Sequence, residues 1–248
     1  MRPGAEDRCS MITLARFHAR ILEKARDNGT APVLIVALGD SVTQGCMDPG
    51  RMDFEAVYHS RVKRALEALH PETTFSVLNA GIGGESAPGG LKRLDRDVIR
   101  HQPDLVIVGY GLNDSCAGDR AGLGAFREAL SAIVGRIRRE TQADVLLLTP
   151  NMMAARDNAA VPERWKPVIG MFVSRQTTGV VAAYAQAIRD VAAEGGAALA
   201  DVYAKWEAFE KSGVDVTLRL CNGINHPDAG MHDMAAQVIL EAIERHAG

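Results

Sequence analysis

The sequence predicts an α/β fold in which helices cover both faces of a parallel β-sheet. Short apolar segments rich in β-branched residues recur along the chain, helical stretches separate them, and no linker, repeat or change in composition interrupts the alternation. The apolar segments are nearly continuous rather than alternating, which is typical of strands that are buried on both faces. The predicted strands are residues 33–38, 75–79, 105–110, 145–149 and 197–202.

Helical periodicity fills the intervals between the predicted strands. We expect helices over residues 54–69, 90–100, 121–141 and 174–193. A last helix follows His226, and its apolar face comprises Met231, Met234, Ala235, Val238, Ala242 and Ile243. Before the first strand, an amphipathic helix is predicted from Met11 onward, within an N-terminal helical extension over residues 1–30. Its predicted apolar face is Ile12, Ala15, Ala19, Leu22 and Ala25. The whole chain, residues 1–248, is interpreted as a single domain.

Charge and hydropathy exclude two classes of partner. The chain has 28 Lys and Arg against 31 Asp and Glu, a formal net charge of −3, which is not the basic excess that nucleic-acid binding needs. No apolar run approaches the roughly 18 residues of a membrane span. The N-terminus lacks the charged-then-apolar layout of a secretory signal, so we expect a cytoplasmic protein with reduced thiols.

The cysteines allow two interpretations. Cys9, Cys46, Cys116 and Cys221 form no CxxC pair, and the last three lie near the polar segments described next. A zinc site built from those three and a nearby histidine is conceivable, but its ligands would come from three distant loops. Buried thiols that pack as small hydrophobes are the favoured interpretation, and we expect neither a metal nor a cofactor.

Glycine-rich polar segments follow the predicted strands. Residues 39–45 (GDSVTQG), 80–86 (AGIGGES) and 111–114 (GLND) each come directly after a strand, and residues 223–227 (GINHP) precede the last helix. Ligands of open α/β sheets bind at the carboxyl ends of the strands, so these segments converge on one edge. They supply a candidate nucleophile, a candidate base and several hydrogen-bond donors, which is the set that acyl transfer requires.

These four segments resemble the signature blocks of the GDSL, or SGNH, hydrolase family. Gly39-Asp40-Ser41 matches the first block, residues 79–84 (NAGIGG) are similar to the second, residues 111–114 match the third, and His226-Pro227 matches the core of the last. The resemblance implies a three-layer α/β/α sandwich, flavodoxin-like, with a central parallel five-stranded sheet in the strand order 2-1-3-4-5. It also implies that Ser41 is the nucleophile and His226 the general base. The backbone N–H groups of Ser41 and Gly84 and the side-chain amide of Asn113 would form the oxyanion hole.

The sequence departs from the family pattern at one place. The last block commonly reads Asp-x-x-His, but Gly223 stands three residues before His226. One interpretation is a dyad in which a backbone carbonyl or the Asn222 amide oxygen orients the imidazole, since an acceptor suffices to set the tautomer. In a second, Asp228 or Asp201 reaches the ring through space. In a third, the protein is catalytically weak.

The expected function is hydrolysis of a small-molecule ester through an acyl-enzyme on Ser41. Short acyl groups such as acetyl, carried by a carbohydrate, are favoured because the first block resembles the carbohydrate-esterase side of the family. The alternatives are an inactive binding protein with this fold, a lysophospholipase or thioesterase, a metal-dependent hydrolase, and acyl transfer to a sugar.

Several neighbouring residues receive structural interpretations. Asp40 is expected to brace its loop through backbone hydrogen bonds, and Asp114 to cap the segment after the third block. His232 is interpreted as a helix-surface residue. Trp206 and Phe209 are expected in the core. Residues 151–173 fit neither period, and a substrate-binding wall and a plain surface excursion are both open interpretations for them.

Overall fold

The computed structural model describes residues 14–48, 51–157 and 161–247. Within these ranges the strands are β1 (Val33–Gly39), β2 (Cys46–Asp48), β3 (Arg51–Met52), β4 (Phe75–Gly81), β5 (Leu105–Gly109), β6 (Asp144–Leu148) and β7 (Ala198–Ala200). Five of them form a central sheet in the order β4-β1-β5-β6-β7, and all neighbouring strands in it are parallel. This confirms the predicted order 2-1-3-4-5. The antiparallel pair β2–β3, which the sequence did not predict, lies outside the sheet.

Ten α-helices accompany the strands in the described part of the chain. They are α1 (Ala15–Arg26), α2 (Ser41–Gln44), α3 (Tyr58–Leu69), α4 (Ala87–Asp97), α5 (Leu112–Gly118), α6 (Leu123–Glu140), α7 (Ile169–Thr177), α8 (Val180–Gly195), α9 (Val202–Lys211) and α10 (Ala229–Arg245). None of them is both long enough and apolar enough to cross a membrane.

The two faces of the sheet carry separate cores, which explains the continuous apolar runs. Along β1 and β5, Ile35 and Ile107 pack with α1, α3 and α10, whereas Val36 and Val106 pack with α4, α6 and α8. Because successive strand residues point to opposite faces, a strand covered on both sides needs an apolar residue at every position. The three-layer α/β/α prediction is confirmed.

The N-terminal helix buries a different face from the predicted one. Leu14, Phe17 and Ile21 are buried, whereas Leu22 is 55% exposed. The backbone N–H of Phe17 donates to the Asp144 carboxylate at 2.8 Å, which fixes the rotation of the helix about its axis. The predicted face was therefore wrong where it can be tested: Ala15 and Ala19 are exposed and Ala25 is half-buried, while Met11 and Ile12 lie outside the described residues.

In the second half of the chain, one helical prediction needs correction and one helix was missed. The helix expected over residues 174–193 is two helices, because Gly179 adopts φ +74° between α7 and α8. The sequence did not predict α9, although it placed Trp206 correctly in the core, where this side chain is fully buried. Phe209, expected there too, is 39% exposed.

Three glycines form a row across the carboxyl edge of the sheet. Gly39 at the end of β1 lies opposite Gly81 of β4 and Gly109 of β5. A Cβ on Gly39 would lie 2.5 Å from the Gly109 carbonyl oxygen, and one on Gly81 would lie 2.6 Å from the Cα of Gln44. The backbone of α2 therefore rests directly on Gly81, and at Gly81 and Gly39 only glycine leaves room for the neighbouring atoms.

We predict opposite effects on stability for two Gly→Ala substitutions. Gly81→Ala should lower the free energy of unfolding by about 1–3 kcal/mol, because the new methyl group meets backbone atoms that cannot rotate away. Gly124→Ala, on the exposed first turn of α6 where a Cβ meets nothing within 4 Å, should raise it by about 0.5–1 kcal/mol. Urea unfolding of both variants measures the difference, and equal effects would contradict the packing argument.

Candidate active site

The candidate nucleophile lies at the first residue of the short helix after β1. Ser41 begins α2, and the carboxylate of Asp40 accepts a hydrogen bond from the Val42 N–H at 2.9 Å. This contact confirms that Asp40 braces the loop. The turn is anchored further by Thr43, whose hydroxyl lies 2.9 Å from that of Tyr58 and whose carbonyl oxygen lies 2.9 Å from Nε2 of His59.

Ser41 and His226 meet across 185 positions of the sequence. The Oγ of Ser41 lies 2.9 Å from Nε2 of His226, within hydrogen-bonding distance, and both residues are buried. His226 lies in the loop before α10, where Leu220 and Pro227 form a β-bridge and the Cys221 N–H donates to the His226 carbonyl oxygen at 2.9 Å. The predicted nucleophile and base are thus adjacent.

Side-chain amides hold the loop that carries His226. The Asn222 Oδ1 accepts hydrogen bonds from the backbone N–H groups of Ile224, Asn225 and His226, at 3.1, 3.0 and 2.9 Å. The Asn151 side chain donates to the Asn225 carbonyl oxygen at 2.9 Å. The Asn222 oxygen, which one interpretation assigned to the imidazole ring, is therefore occupied by the backbone of its own loop.

The two aspartates considered as partners for His226 are engaged elsewhere. Asp228 caps α10 by accepting from the Met231 N–H at 2.9 Å. Asp201 accepts from the Thr149 hydroxyl at 3.0 Å and from the Arg189 guanidinium at 2.9 Å. Each carboxylate thus has a structural use in its own segment.

The predicted oxyanion-hole residues Gly84 and Asn113 lie in two loops that approach the loop of Ser41. A Cβ on Gly83 would lie 3.9 Å from the Cβ of Ser41. Gly84 follows with φ +76°, a conformation that favours glycine, and its N–H meets no acceptor among the described residues. The Asn113 Nδ2 donates to the Glu85 carbonyl oxygen at 3.0 Å and lies 3.4 Å from the Asp40 carboxylate. The second of these contacts is long and therefore weak.

Asp114 ties the loop after β5 to the start of α4. Its two carboxylate oxygens accept from the N–H groups of Ala87 at 2.9 Å and Gly111 at 3.1 Å. Asp114 therefore caps the starts of α5 and α4 rather than a segment that follows the third block. Burial raises the pKa of Asp114 to about 6 and, more strongly, that of Asp40 to about 7.

His232 corrects a sequence-based interpretation. It was expected on a helix surface but is fully buried, and its Nδ1 accepts from the Tyr58 N–H at 3.3 Å while the two rings stack. Burial lowers its pKa to about 3, so the imidazole is neutral. With Trp206 it lines a cavity of about 30 Å³ behind α2, a volume that suits water-sized molecules rather than an ester.

The start of the segment that followed no period packs on the loop that carries His226. Met152, Met153 and Ala154 are buried, and the Ala154 N–H donates to the Ile224 carbonyl oxygen at 2.8 Å, against the loop of His226. A Cβ on Gly223 would lie 3.0 Å from the Cα of Val161, so the segment packs on this loop at two points. A plain surface excursion is therefore the wrong interpretation for these residues.

The described cysteines differ from one another in burial. Cys46 is buried and Cys116 is half-buried, with its sulfur 3.9 Å from that of Met153. Cys221, in the loop of His226, is exposed, so the expectation of a buried thiol was wrong for this residue. Cys9 lies outside the described residues. In residues 14–48, 51–157 and 161–247, no group of three or more His, Cys, Asp or Glu side chains is arranged to hold a metal ion.

The residues of the candidate site fall within a stretch of the chain that matches a known protein family. Residues 37–234 match the model of the GDSL-like lipase/acylhydrolase family, a range that includes Ser41, Gly84, Asn113 and His226. The chain belongs to this family. The resemblance drawn from the four sequence blocks is thereby confirmed.

Two characterised relatives are similar over part of the chain. An arylesterase of Vibrio mimicus is 33% identical over 84 residues, which are 34% of this chain and 39% of the relative. An acetylxylan esterase of Geobacillus stearothermophilus is 35% identical over 85 residues, 32% of this chain and 39% of the relative. The chain thus matches about two fifths of the length of each.

Solved structures share the fold over most of the chain. A variant of an acetyl xylan esterase from Geobacillus stearothermophilus superposes with a TM-score of 0.65 at 22% identity, over 85% of this chain and 94% of that one. A two-domain esterase active on acetylated mannans gives a TM-score of 0.68 at 20% identity, over 95% of this chain and 54% of that one.

The raised pKa of Asp40 predicts how stability depends on pH. The folded state keeps the proton up to about pH 7, whereas the unfolded state loses it near 3.8. The free energy of unfolding should therefore fall as pH rises from about 4 to about 7, and Asp40→Asn should remove that part of the fall.

Urea unfolding across this pH range compares Asp40→Asn with the wild type. Asp97 is the matched control, because the hydrogen bond from Arg96 lowers its pKa. Asp97→Asn should change the free energy of unfolding by a constant amount between about pH 5 and 7, where Asp97 is ionised in both states. Parallel curves for wild type and Asp40→Asn would refute the assignment.

Proposed function

We propose that the protein is a serine ester hydrolase that acts through an acyl-enzyme on Ser41, with short acyl esters of carbohydrates as substrates. The observation that carries the proposal is the 2.9 Å contact between Oγ of Ser41 and Nε2 of His226. A serine hydroxyl is a weak nucleophile at neutral pH, and an adjacent imidazole that accepts its proton is what activates it. Membership of the GDSL-like lipase/acylhydrolase family supports the same chemistry.

In the first half of the reaction, Oγ of Ser41 attacks the ester carbonyl carbon while Nε2 of His226 takes the hydroxyl proton. The carbonyl oxygen becomes an oxyanion. The tetrahedral intermediate collapses when the bond to the alcohol breaks, and His226 returns the proton to the leaving alkoxide. The products are the free alcohol and an ester between the acyl group and Ser41.

The oxyanion would be held by three donors. These are the backbone N–H groups of Ser41 and Gly84 and the side chain of Asn113. The Asn113 amide keeps one N–H on the Glu85 carbonyl oxygen and directs the other toward Asp40 at 3.4 Å. That second, weaker contact is the one that an oxyanion would replace. Donors fixed before the reaction stabilise the developing charge without reorganisation.

The second half repeats the chemistry with water. His226 removes a proton from a water molecule, which attacks the acyl carbon, and the returning proton regenerates the Ser41 hydroxyl. The carboxylic acid leaves. Transfer to a sugar hydroxyl in place of water uses the same steps, so analysis of the products separates the two outcomes.

The choice of an acetylated carbohydrate rests on the relatives. Acetylxylan esterase is the name of one relative, and a structural neighbour is active on acetylated mannans. The first block, residues 39–45, resembles the carbohydrate-esterase side of the family.

Substitution of the nucleophile and of one oxyanion donor tests the mechanism. Ser41→Ala should abolish turnover of p-nitrophenyl acetate, because no acyl-enzyme can form. Asn113→Ala should lower kcat by about 10²–10³-fold, the usual loss for one oxyanion donor. Steady-state kinetics measure both. Ser60→Ala, on α3 and outside the four loops, is the matched control and should retain full activity.

A panel of esters tests the substrate class. The acyl group is varied from acetyl to decanoyl, and the alcohol is varied between xylose, p-nitrophenol and glycerophosphocholine, whose monoacyl esters are lysophospholipids. Ser41→Ala is the blank. We expect kcat/KM to fall steeply beyond short acyl groups and to be highest on the acetylated sugar. A rise with chain length would favour a lysophospholipase or thioesterase, and no turnover of any ester would favour a binding protein.

A further inference from the structure

Arg93 reaches from α4 to the carboxyl ends of three strands. Its side chain is only 9% exposed. One terminal nitrogen, Nη1, donates to the Ala80 carbonyl oxygen of β4 at 2.8 Å, and the other, Nη2, donates to the Gly39 carbonyl oxygen of β1 at 3.1 Å. Nη2 also donates to the hydroxyl of Tyr110, the residue after β5, at 2.9 Å.

Each of these contacts leads into a loop that carries a candidate catalytic group. Gly39 stands two residues before Ser41. The Arg93 guanidinium pairs with the carboxylate of Glu85, the residue after Gly84. The Glu85 carbonyl oxygen in turn accepts the hydrogen bond from Asn113 at 3.0 Å. One guanidinium is therefore bonded to the nucleophile loop and to the Gly84 loop directly, and to the Asn113 loop through Tyr110 and Glu85.

The groups around the Arg93 side chain suit a planar guanidinium rather than an ammonium. Glu85 and Asp97 pair with Arg93 and offset its buried charge, and the Tyr110 hydroxyl donates to Glu85 at 3.1 Å. Gly90, one turn before Arg93, leaves the room that Tyr110 needs, since a Cβ there would lie 2.6 Å from its ring. A guanidinium offers five N–H donors in one rigid fork, whereas an ammonium offers three on one atom.

We propose that Arg93 is a positioning residue that sets the relative placement of Ser41, Gly84 and Asn113 for the transition state. It acts through Gly39, Glu85 and Tyr110 and does not touch the substrate. This inference rests on the proposed function. Oxyanion donors work only within about 2.7–3.1 Å of the developing charge, so small displacements of these loops are costly.

The test compares Arg93 with Arg20, a buried arginine near the amino ends of the strands. Arg20 is also buried, and it pairs with Asp104, which accepts from the Leu34 N–H near the start of β1. The variants are Arg93→Met, Arg93→Lys and Arg20→Met. Arg93→Lys keeps the charge and serves if Arg93→Met does not fold. All assays are run well below the unfolding midpoint of each variant.

Arg93→Met should lower kcat for p-nitrophenyl acetate by about 100-fold with little change in KM, as expected for a misplaced catalytic group. Arg93→Lys should lower kcat by about tenfold, because an ammonium reaches fewer of the three loops. Affinity for a boronic acid that mimics the tetrahedral intermediate should fall by the same factors. Arg20→Met should lose stability but keep kcat and inhibitor affinity.

Hydrogen exchange gives a readout that does not depend on activity. Peptides covering residues 39–45 and 80–86 should exchange faster in Arg93→Met than in Arg20→Met. Unchanged exchange there overturns the inference, as does a wild-type kcat in Arg93→Met or an equal loss of kcat in Arg20→Met. A wild-type protein without Ser41-dependent turnover would instead refute the proposed function, and the exchange data would still decide the role of Arg93.

Discussion

The direct contact between the backbone of α2 and the edge of the sheet is the constraint on which the rest of the site depends. Gly81, Gly39 and Gly109 end three adjacent strands in register, and α2 packs closely against Gly81 and Gly39. This contact fixes Ser41 at the sheet edge, where the loops after β4 and β5 begin at the same level. The loop before α10 then needs only to bring His226 to the same point. A bulkier edge would separate the nucleophile from the groups contributed by the other loops.

Much of the fold could be predicted because both faces of the sheet are covered. Double coverage demands apolar residues at every strand position, and that requirement produces the continuous runs that identify the strands. The elements that were missed or misplaced depend on contacts made elsewhere. The rotation of α1 follows from the contact of Phe17 with Asp144, 127 positions away, and the break between α7 and α8 from a single glycine with positive φ. Neither the Phe17–Asp144 contact nor the positive φ of Gly179 leaves a periodic signal in the sequence.

The candidate site likewise has residues that could be predicted from the sequence and residues that could not. Ser41, Gly84 and Asn113 lie in compact blocks after strands, and His226 lies in one before the last helix. Such blocks can be found without a structure. The residues that support them are scattered. Arg93 is one charged residue among many on a helix, and its carbonyl partners carry no side-chain signature. His232 shows why spacing fails here, because its burial depends on Tyr58 of a distant helix. Gly39 and Gly81 lie in segments that were expected to supply hydrogen-bond donors, but a Cβ at either would collide with atoms of α2, so these glycines make room for that helix.

The loop that holds His226 has a further consequence. Asn222 and Asn151 fix it through their side-chain amides, and an amide carries no charge at any pH at which a protein folds. Acid or alkali can therefore alter the charge of the reacting groups without loosening these contacts. A loop held by carboxylates would lose its shape as they became protonated. The amide contacts that hold this loop therefore stay the same while pH changes the charge of groups around them.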